Sequence, residues 1–100
     1  MATVYVTYGK VGKRTENGIL SAFIAGTTRS ETITSSGTTA PGSLTATDGD
    51  VCYVECDTRV AVVAGSGTPT ATIATGAIAG PTGVAIVGMN AGDKIAVIDV

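Results

Sequence analysis

The chain contains neither histidine nor tryptophan, and aromatic residues make up only 4% of it. Without histidine, one chain cannot assemble a Ser–His–Asp or Cys–His arrangement for nucleophilic catalysis. Three tyrosines and one phenylalanine are too few to build stacking platforms for single-stranded nucleic acid or sugars. These two absences disfavour an enzyme of the common hydrolase classes, and we predict a protein without catalytic residues and without a cofactor.

Charge is also scarce, since Asp, Glu, Lys and Arg together form 14% of the residues and the net charge is −2. The six basic residues form no dense patch apart from a short group at Lys10–Arg14. This distribution argues against nucleic acid or an anionic membrane as the main partner. Two interpretations of the low charge stay open: a neutral Thr- and Ser-rich surface, or a surface that partners cover.

Two cysteines, Cys52 and Cys56, are the only ones in the chain. On a strand they would share one face about 13 Å apart, at ~3.3 Å per residue, which is beyond the reach of a disulfide. We therefore expect two buried free thiols beside Val54, as in a protein assembled in a reducing cytoplasm. Two thiolates without histidine are too few for a structural zinc site.

Short apolar segments separated by Gly, Pro, Asp and Asn recur along the chain, which is the pattern of a small sandwich or barrel. They predict an all-β fold of about eight mostly antiparallel strands in one domain spanning residues 1–100. The expected strands are Thr3–Tyr8, Ile19–Ala25, Ser30–Ser35 (at a sheet edge), Val51–Cys56, Arg59–Ala64, Thr70–Thr75, Val84–Val87 and Lys94–Val100. Leu44–Thr47 is expected to be a short strand or an extended segment that leads toward the next one. A short helix is the alternative for Ile19–Ala25, because Leu20, Phe23 and Ile24 would share a helical face.

Turn residues predict how these strands connect. Asn17-Gly18, Asp48-Gly49 and Gly80-Pro81-Thr82-Gly83 are expected to be turns. The tight Asp57-Thr58 turn predicts a hairpin of Val51–Cys56 with Arg59–Ala64. Residues 1–8 are expected to form an N-terminal arm or an edge strand. We expect one apolar face to collect Val4, Val6, Cys52, Val54, Ile73, Ile95 and Val97.

Three sequence features resemble chemical sites, but each is incomplete. The carboxylates Asp48, Asp50, Glu55 and Asp57 are clustered, yet they lack most of the twelve-residue calcium-loop ligand set. Turn formation by Asp48 and Asp50 is the favoured interpretation, and a weak calcium or subunit-bridging site is the alternative. Gly65-Ser66-Gly67 lacks the lysine and the following helix of a phosphate loop. We accordingly predict no metal site.

Four segments follow one another within residues 50–98: Asp50-Val51-Cys52-Tyr53-Val54, Asp57-Thr58-Arg59-Val60-Ala61-Val62, Gly67-Thr68-Pro69-Thr70-Ala71-Thr72 and Ala91-Gly92-Asp93-Lys94-Ile95-Ala96-Val97-Ile98. In this order they resemble small structural proteins of tailed bacteriophages. The resemblance implies a virion protein assembled in the host cytoplasm: a head decoration (cement) protein, a fibre or spike component, or a head–tail accessory. It implies no catalytic residues.

These observations together predict a non-enzymatic capsid decoration protein that binds and stabilises a head lattice. The expected partners are the major capsid protein or other virion subunits, together with further copies of the chain, a trimer being one arrangement. A phage fibre or spike component, or a β-sandwich that binds a receptor or carbohydrate, is the alternative. We expect contacts in the Ser35–Ser43 loop and, above all, at Val4, Tyr5, Val6, Tyr8, Lys10, Lys13 and Arg14.

Overall fold

A computed structural model describes residues 2–10, 14–15, 18–19 and 26–100, with side chains at residues 2–10 and 26–100. The described residues contain ten strands and no helix. The strands are β1 (Thr3–Gly9), β2 (Arg14–Thr15), β3 (Gly18–Ile19), β4 (Arg29–Thr34), β5 (Ala40–Pro41), β6 (Val51–Cys56), β7 (Val60–Ser66), β8 (Ala77–Ala79), β9 (Ala85–Gly88) and β10 (Asp93–Asp99).

Eight of these strands form two four-stranded antiparallel sheets. Sheet 1 has the strand order β4-β1-β6-β9, and sheet 2 has the order β5-β10-β7-β8. The two remaining strands, β2 and β3, pair with each other. The all-β prediction of about eight antiparallel strands is confirmed, and the architecture is sandwich-like rather than a closed barrel.

The core lies between the two sheets and consists mostly of small side chains. Alternate residues of each strand point inward, because successive side chains of a strand project to opposite faces. Sheet 1 contributes Val4, Val6, Tyr8, Cys52, Val54 and Ala85, and sheet 2 contributes Val60, Val62, Ala79, Ile95 and Val97. Six of the seven residues expected on one apolar face are therefore buried, although they come from two facing sheets. Ile73 is the exception, with 53% of its surface exposed.

Strand β1 is an inner strand of sheet 1, so the expectation of an N-terminal arm or edge strand is wrong. It pairs with β4 on one side and with β6 on the other. Its alternating sequence buries Val4, Val6 and Tyr8 completely while Tyr5 points outward. A segment with an inward-facing apolar side chain at every second residue is suited to a central strand. Its own sequence does not reveal that neighbouring strands pair with both of its edges.

The connection Asp57–Arg59 does not close a hairpin, because β6 lies in sheet 1 and β7 in sheet 2. The chain crosses from one sheet to the other at this point. The Asp57 carboxylate accepts a hydrogen bond from the Thr3 N–H at 3.0 Å. The Arg59 carbonyl accepts one from the Val100 N–H at 3.3 Å. These two hydrogen bonds attach the connection 57–59 to the start of β1 and to the residue that follows β10.

The segment 70–75 is not a strand; it is a loop and turn that passes over the outer face of sheet 2. Pro69 and Ala71 are buried there, and so are Ala61 and Ala96 on the sheet beneath. A Cβ added at Gly76 would lie 2.7 Å from the Ala61 Cβ, which shows how closely the backbone approaches the sheet. The strand that follows is Ala77–Ala79, and it lies in a different sheet from β9.

Several other predictions agree with the structure. The strands expected at Ser30–Ser35, Val84–Val87 and Lys94–Val100 match β4, β9 and β10 to within about one residue, and β4 is an edge strand. The turn at Asp48-Gly49 is present, and Gly49 has a φ of 83°. Leu44–Thr47 forms no strand. The expected segment 20–25, Lys13 and Asn17 lie outside the described residues.

Candidate interaction surface

The outer face of sheet 1 carries two exposed side chains, Tyr5 and Ile86, and the half-buried Tyr53; we call these three residues the tyrosine face. Tyr53 of β6 pairs with Thr7 of β1 on one side and with Ile86 of β9 on the other. Tyr5 is directly opposite Glu55, one diagonal step from Tyr53. Diagonal neighbours in an antiparallel pair lie about 7–8 Å apart, within reach of aromatic side chains. The three side chains therefore form one strip across the sheet.

Two of the three side chains of the tyrosine face are open to solvent. Tyr5 is 54% exposed and Ile86 is 66% exposed. Their neighbours on the same face are mostly hydroxyl side chains, at Thr3, Thr7, Ser30, Thr32 and Thr34, with Glu55 as the charged residue. The Thr7 and Ser30 hydroxyls lie 3.2 Å apart and share a hydrogen bond. The face is thus nearly neutral, with an aromatic centre and a hydroxyl-rich border.

The charged residues of the chain serve a different purpose, which is clearest at Asp50. This carboxylate is fully buried and binds two cations, Lys10 Nζ at 3.1 Å and Arg29 Nη2 at 2.6 Å. The Thr47 N–H donates to it at 2.8 Å. Burial by itself would raise the pKa of Asp50, but the Thr47, Arg29 and Lys10 hydrogen bonds outweigh burial and hold that pKa well below its usual range.

The cations that face Asp50 also fix the loop before β6. Lys10 Nζ donates to the Asp48 carbonyl at 2.6 Å and to the Thr47 hydroxyl at 3.2 Å. Arg29 Nη2 donates to the Thr45 carbonyl at 3.3 Å. Both carboxylate oxygens of Asp50 are therefore engaged by side chains of the protein. This arrangement makes Asp50 an anchor for the loop rather than one ligand of a calcium or subunit-bridging site, and among the described residues no three metal-ligating side chains are grouped.

Glu31 and Tyr8 extend this polar layer along the inner side of β4 and β1. The Glu31 carboxylate accepts hydrogen bonds from the backbone N–H groups of Ser43 at 2.8 Å and Leu44 at 3.0 Å. The Tyr8 hydroxyl donates to the Leu44 carbonyl at 3.3 Å, and the Arg29 guanidinium lies 5.6 Å from the Tyr8 ring centroid. Burial, together with Cys52 and Glu31, raises the pKa of Tyr8. The layer ties segment 42–50 to sheet 1.

A second polar contact joins the two ends of the chain. The buried Ser35 hydroxyl accepts from the Ala2 N–H at 2.8 Å and donates to the Asp99 carboxylate. The Asp99 N–H donates in turn to the Ser36 carbonyl at 2.9 Å. Segment 35–36 thereby links the start of β1 to the end of β10, which are in different sheets.

Cys52 and Cys56 are free and buried, as the sequence predicts. Burial, with Glu31 and Asp50 as smaller causes, raises the pKa of Cys52 to about 12. Burial is also the main cause that raises the pKa of Cys56. Burial therefore favours the protonated form of both thiols and shields them from solvent.

The structure divides the contact residues that the sequence nominates. Val4, Val6 and Tyr8 lie in the core and are fully buried, so the prediction that they contact a partner is corrected. Tyr5 lies on the tyrosine face, while Lys10 forms an ion pair with Asp50. Arg14 is placed only as part of the β2 backbone, and Lys13 lies outside the described residues. The sequence analysis does not identify Tyr53 and Ile86 as contact residues. The alternation of β6 could have identified Tyr53, because it places Tyr53 on the sheet face opposite to the buried Cys52 and Val54.

Comparison of the chain with protein-family models, with curated proteins and with solved structures gives no match to any of them. The described residues also include no helix long and apolar enough to cross a membrane. The tyrosine face and the internal use of charge are therefore the observations from which a function is argued.

Proposed function

We propose that this chain is a non-enzymatic structural protein of a bacteriophage virion that decorates the capsid and stabilises its lattice. The tyrosine face is the surface that we assign to the major capsid protein. A single observation carries the proposal: Tyr5 is 54% exposed at the centre of a nearly neutral sheet face, in a chain with very few aromatic residues.

The distribution of charge supports a protein-binding role for this face. Centres of protein interfaces are depleted in charged residues and enriched in tyrosine. Lys10, Arg29 and Glu31 are bound to other parts of the same chain. The few charges thus fix loops, and the tyrosine face presents Glu55 as its charged residue.

The resemblance of residues 50–98 to small structural proteins of tailed bacteriophages supports the choice of a virion partner. A decoration protein acts by mass action: because it binds the assembled lattice and not the separated subunits, it shifts the equilibrium toward the assembled state. Such a function needs a stable surface and no chemistry. Complementary area at the tyrosine face would provide the binding energy.

Carbohydrate binding is a second candidate: the chain has too few aromatic residues for an extended stacking platform, but the exposed Tyr5 beside Tyr53 favours contact with a single sugar. Tyrosine rings pack against the apolar faces of sugars, and their hydroxyls bind polar groups at the edge. This reading assigns the same face to a receptor glycan, as in a fibre or spike module.

Cosedimentation with capsids tests the proposal directly. Purified protein would be mixed with heads of the virus that carries the chain, stripped of this subunit, and the bound fraction measured after centrifugation. The Tyr5→Ala/Tyr53→Ala variant should lose most of the binding. Ile73→Ala, which removes a similarly exposed apolar side chain from a loop over sheet 2, should bind like the unmodified protein.

Equal binding by the two variants, or no binding by the unmodified protein, would contradict the proposal. A glycan array on the same samples distinguishes the second candidate. Glycan binding that the tyrosine double variant abolishes, together with indifference to capsids, would replace decoration by carbohydrate recognition.

A further inference from the structure

Strand β9 forms one edge of sheet 1. A single hydrogen bond shows which residues of β9 direct their backbone N–H and C=O groups away from β6. The Met89 N–H donates to the Asp50 carbonyl at 3.0 Å, just beyond the β6–β9 ladder. Hydrogen-bonded and non-hydrogen-bonded pairs alternate along an antiparallel ladder. The pair Tyr53–Ile86 is therefore of the second kind, and the N–H and C=O groups of Ile86 point away from β6. The same alternation applies to Gly88.

The side chains along this edge are apolar and uncharged. Ile86 is 66% exposed and Val84 is 40% exposed. Residues 60–92 contain no Asp, Glu, Lys or Arg. Edge strands of soluble proteins are usually guarded by charges, prolines or bulges, because open edges pair with other chains.

The opposite edge of the same sheet shows such a guard. Strand β4 carries Arg29 and Glu31, which point inward and bind segment 43–50. Inward-pointing charges are a recognised protection against edge pairing. The two edges of sheet 1 therefore differ in kind, and among the described residues β9 pairs only with β6.

We propose that β9 pairs antiparallel with β9 of a second copy of this chain, about a two-fold axis at Ile86. Centred there, Ile86 faces Ile86 of the second copy, and Val84 faces Gly88. Val84, Ile86 and Gly88 all direct their backbone N–H and C=O groups away from β6. Each copy therefore supplies the N–H donors and C=O acceptors that the other copy requires. The two sheets would join into one continuous sheet of eight strands.

The choice of a second copy follows from charge and symmetry. Each chain has a net charge of −2, and an edge without charges lets two copies approach with the least repulsion. The two-fold arrangement is self-complementary and closes at two subunits. It also covers both exposed Ile86 side chains as a cross-strand pair. The inference is compatible with the proposed capsid function, since Tyr5 and Tyr53 stay on the open face of the joined sheet and Ile86 is the one residue that both surfaces share.

Solution mass is the first test. Light scattering coupled to size exclusion should give twice the chain mass for the unmodified protein. Ile86→Lys places two like charges opposite each other and should raise the dimer dissociation constant by about tenfold or more. Ile73→Lys, at an equally exposed loop position away from β9, should leave the dimer intact, with circular dichroism showing that both variants are folded.

Cross-linking tests the register. Paired residues of the hydrogen-bonded kind have Cα atoms about 5.5 Å apart, which a disulfide can span. Ile86→Cys should therefore form a covalent dimer under mild oxidation, whereas Ile73→Cys should remain monomeric under denaturing conditions. A monomeric or trimeric unmodified protein would overturn the inference. So would a dimer that Ile86→Lys leaves unchanged or that Ile86→Cys fails to cross-link.

Discussion

Arg29 and Asp50 form an ion pair in which Nη2 lies 2.6 Å from Oδ2, with the carboxylate side chain fully buried. Arg29 begins the edge strand β4, and Asp50 directly precedes β6, so the pair spans the intervening strand β1. Together with Lys10, it fixes the loop that leads into β6. Stability predictions therefore centre on Asp50.

Asp50→Asn should lower the free energy of unfolding by about 1–3 kcal/mol, the cost of breaking buried charged hydrogen bonds. The partly exposed Lys10 and Arg29 regain water, which limits the loss. Asp48→Asn is the matched control, because Asp48 is exposed, and its effect should stay within about 0.5 kcal/mol. Urea unfolding curves of both variants measure the difference. Equal effects would show that Asp50 is not an anchor.

Acid should remove the Asp50 contribution selectively. The folded pKa of Asp50 lies below its ordinary value of 3.8, so its contribution is fully present above that value and is lost as the pH falls toward the folded pKa. The stability gap between the unmodified protein and Asp50→Asn should be constant from about pH 7 to pH 5 and narrow progressively below about pH 4. Urea midpoints across this range measure it. A gap that stays constant down to about pH 2 would contradict the assignment.

Gly80→Ala should be more destabilising than Gly92→Ala. Both glycines have positive φ, 72° and 88°, so both substitutions incur the left-handed penalty of about 1–2 kcal/mol. Only at Gly80 would the added Cβ meet close neighbours: Cys56 Sγ and the Thr58 carbonyl oxygen, each at 2.6 Å. Crowding should add about 1–3 kcal/mol. Thermal or urea unfolding of the two variants separates backbone strain from crowding, and indistinguishable values would refute the close approach at Gly80.

The native protein should resist thiol reagents at neutral pH. Cys52 is fully buried with a pKa of about 12, and Cys56 is buried as well. A colorimetric disulfide reagent should label neither thiol in minutes under native conditions and both after unfolding. Ile73→Cys provides an exposed thiol that should react at once. Rapid labelling of the unmodified native protein would mean that β6 opens readily or is less deeply packed.

Local sequence pattern located strands well and their partners poorly. The alternation of Val4, Val6 and Tyr8 and the run from Val51 to Cys56 are local signals, and both strands form where expected. The Asp57-Thr58 turn resembles a hairpin turn, yet the chain changes sheets there. A turn of this length is compatible with either outcome, and the structure shows that Asp57 contacts Thr3 and Arg59 contacts Val100, both far away in the chain.

The candidate site shows the same division. The sequence predicts Tyr5 as a contact residue, but it predicts Val4, Val6 and Tyr8 as well, because the buried face of a strand depends on the neighbours with which it pairs. The sequence around Asp50 predicts only a turn-forming carboxylate. Its partners Lys10 and Arg29 are distant in the chain, so no spacing in the sequence indicates the ion pair.

The sequence by itself determined the all-β class and the buried free thiols, because these depend on composition and on period-two alternation within single strands. Only the tertiary structure decided that β1 is a central strand, that segment 70–75 covers a sheet, and that the uncharged strand β9 lies at an edge. Those outcomes depend on pairing between residues far apart in the chain. The free energy of strand pairing comes from contacts between strands, so the sequence of a single strand does not specify which strand it pairs with.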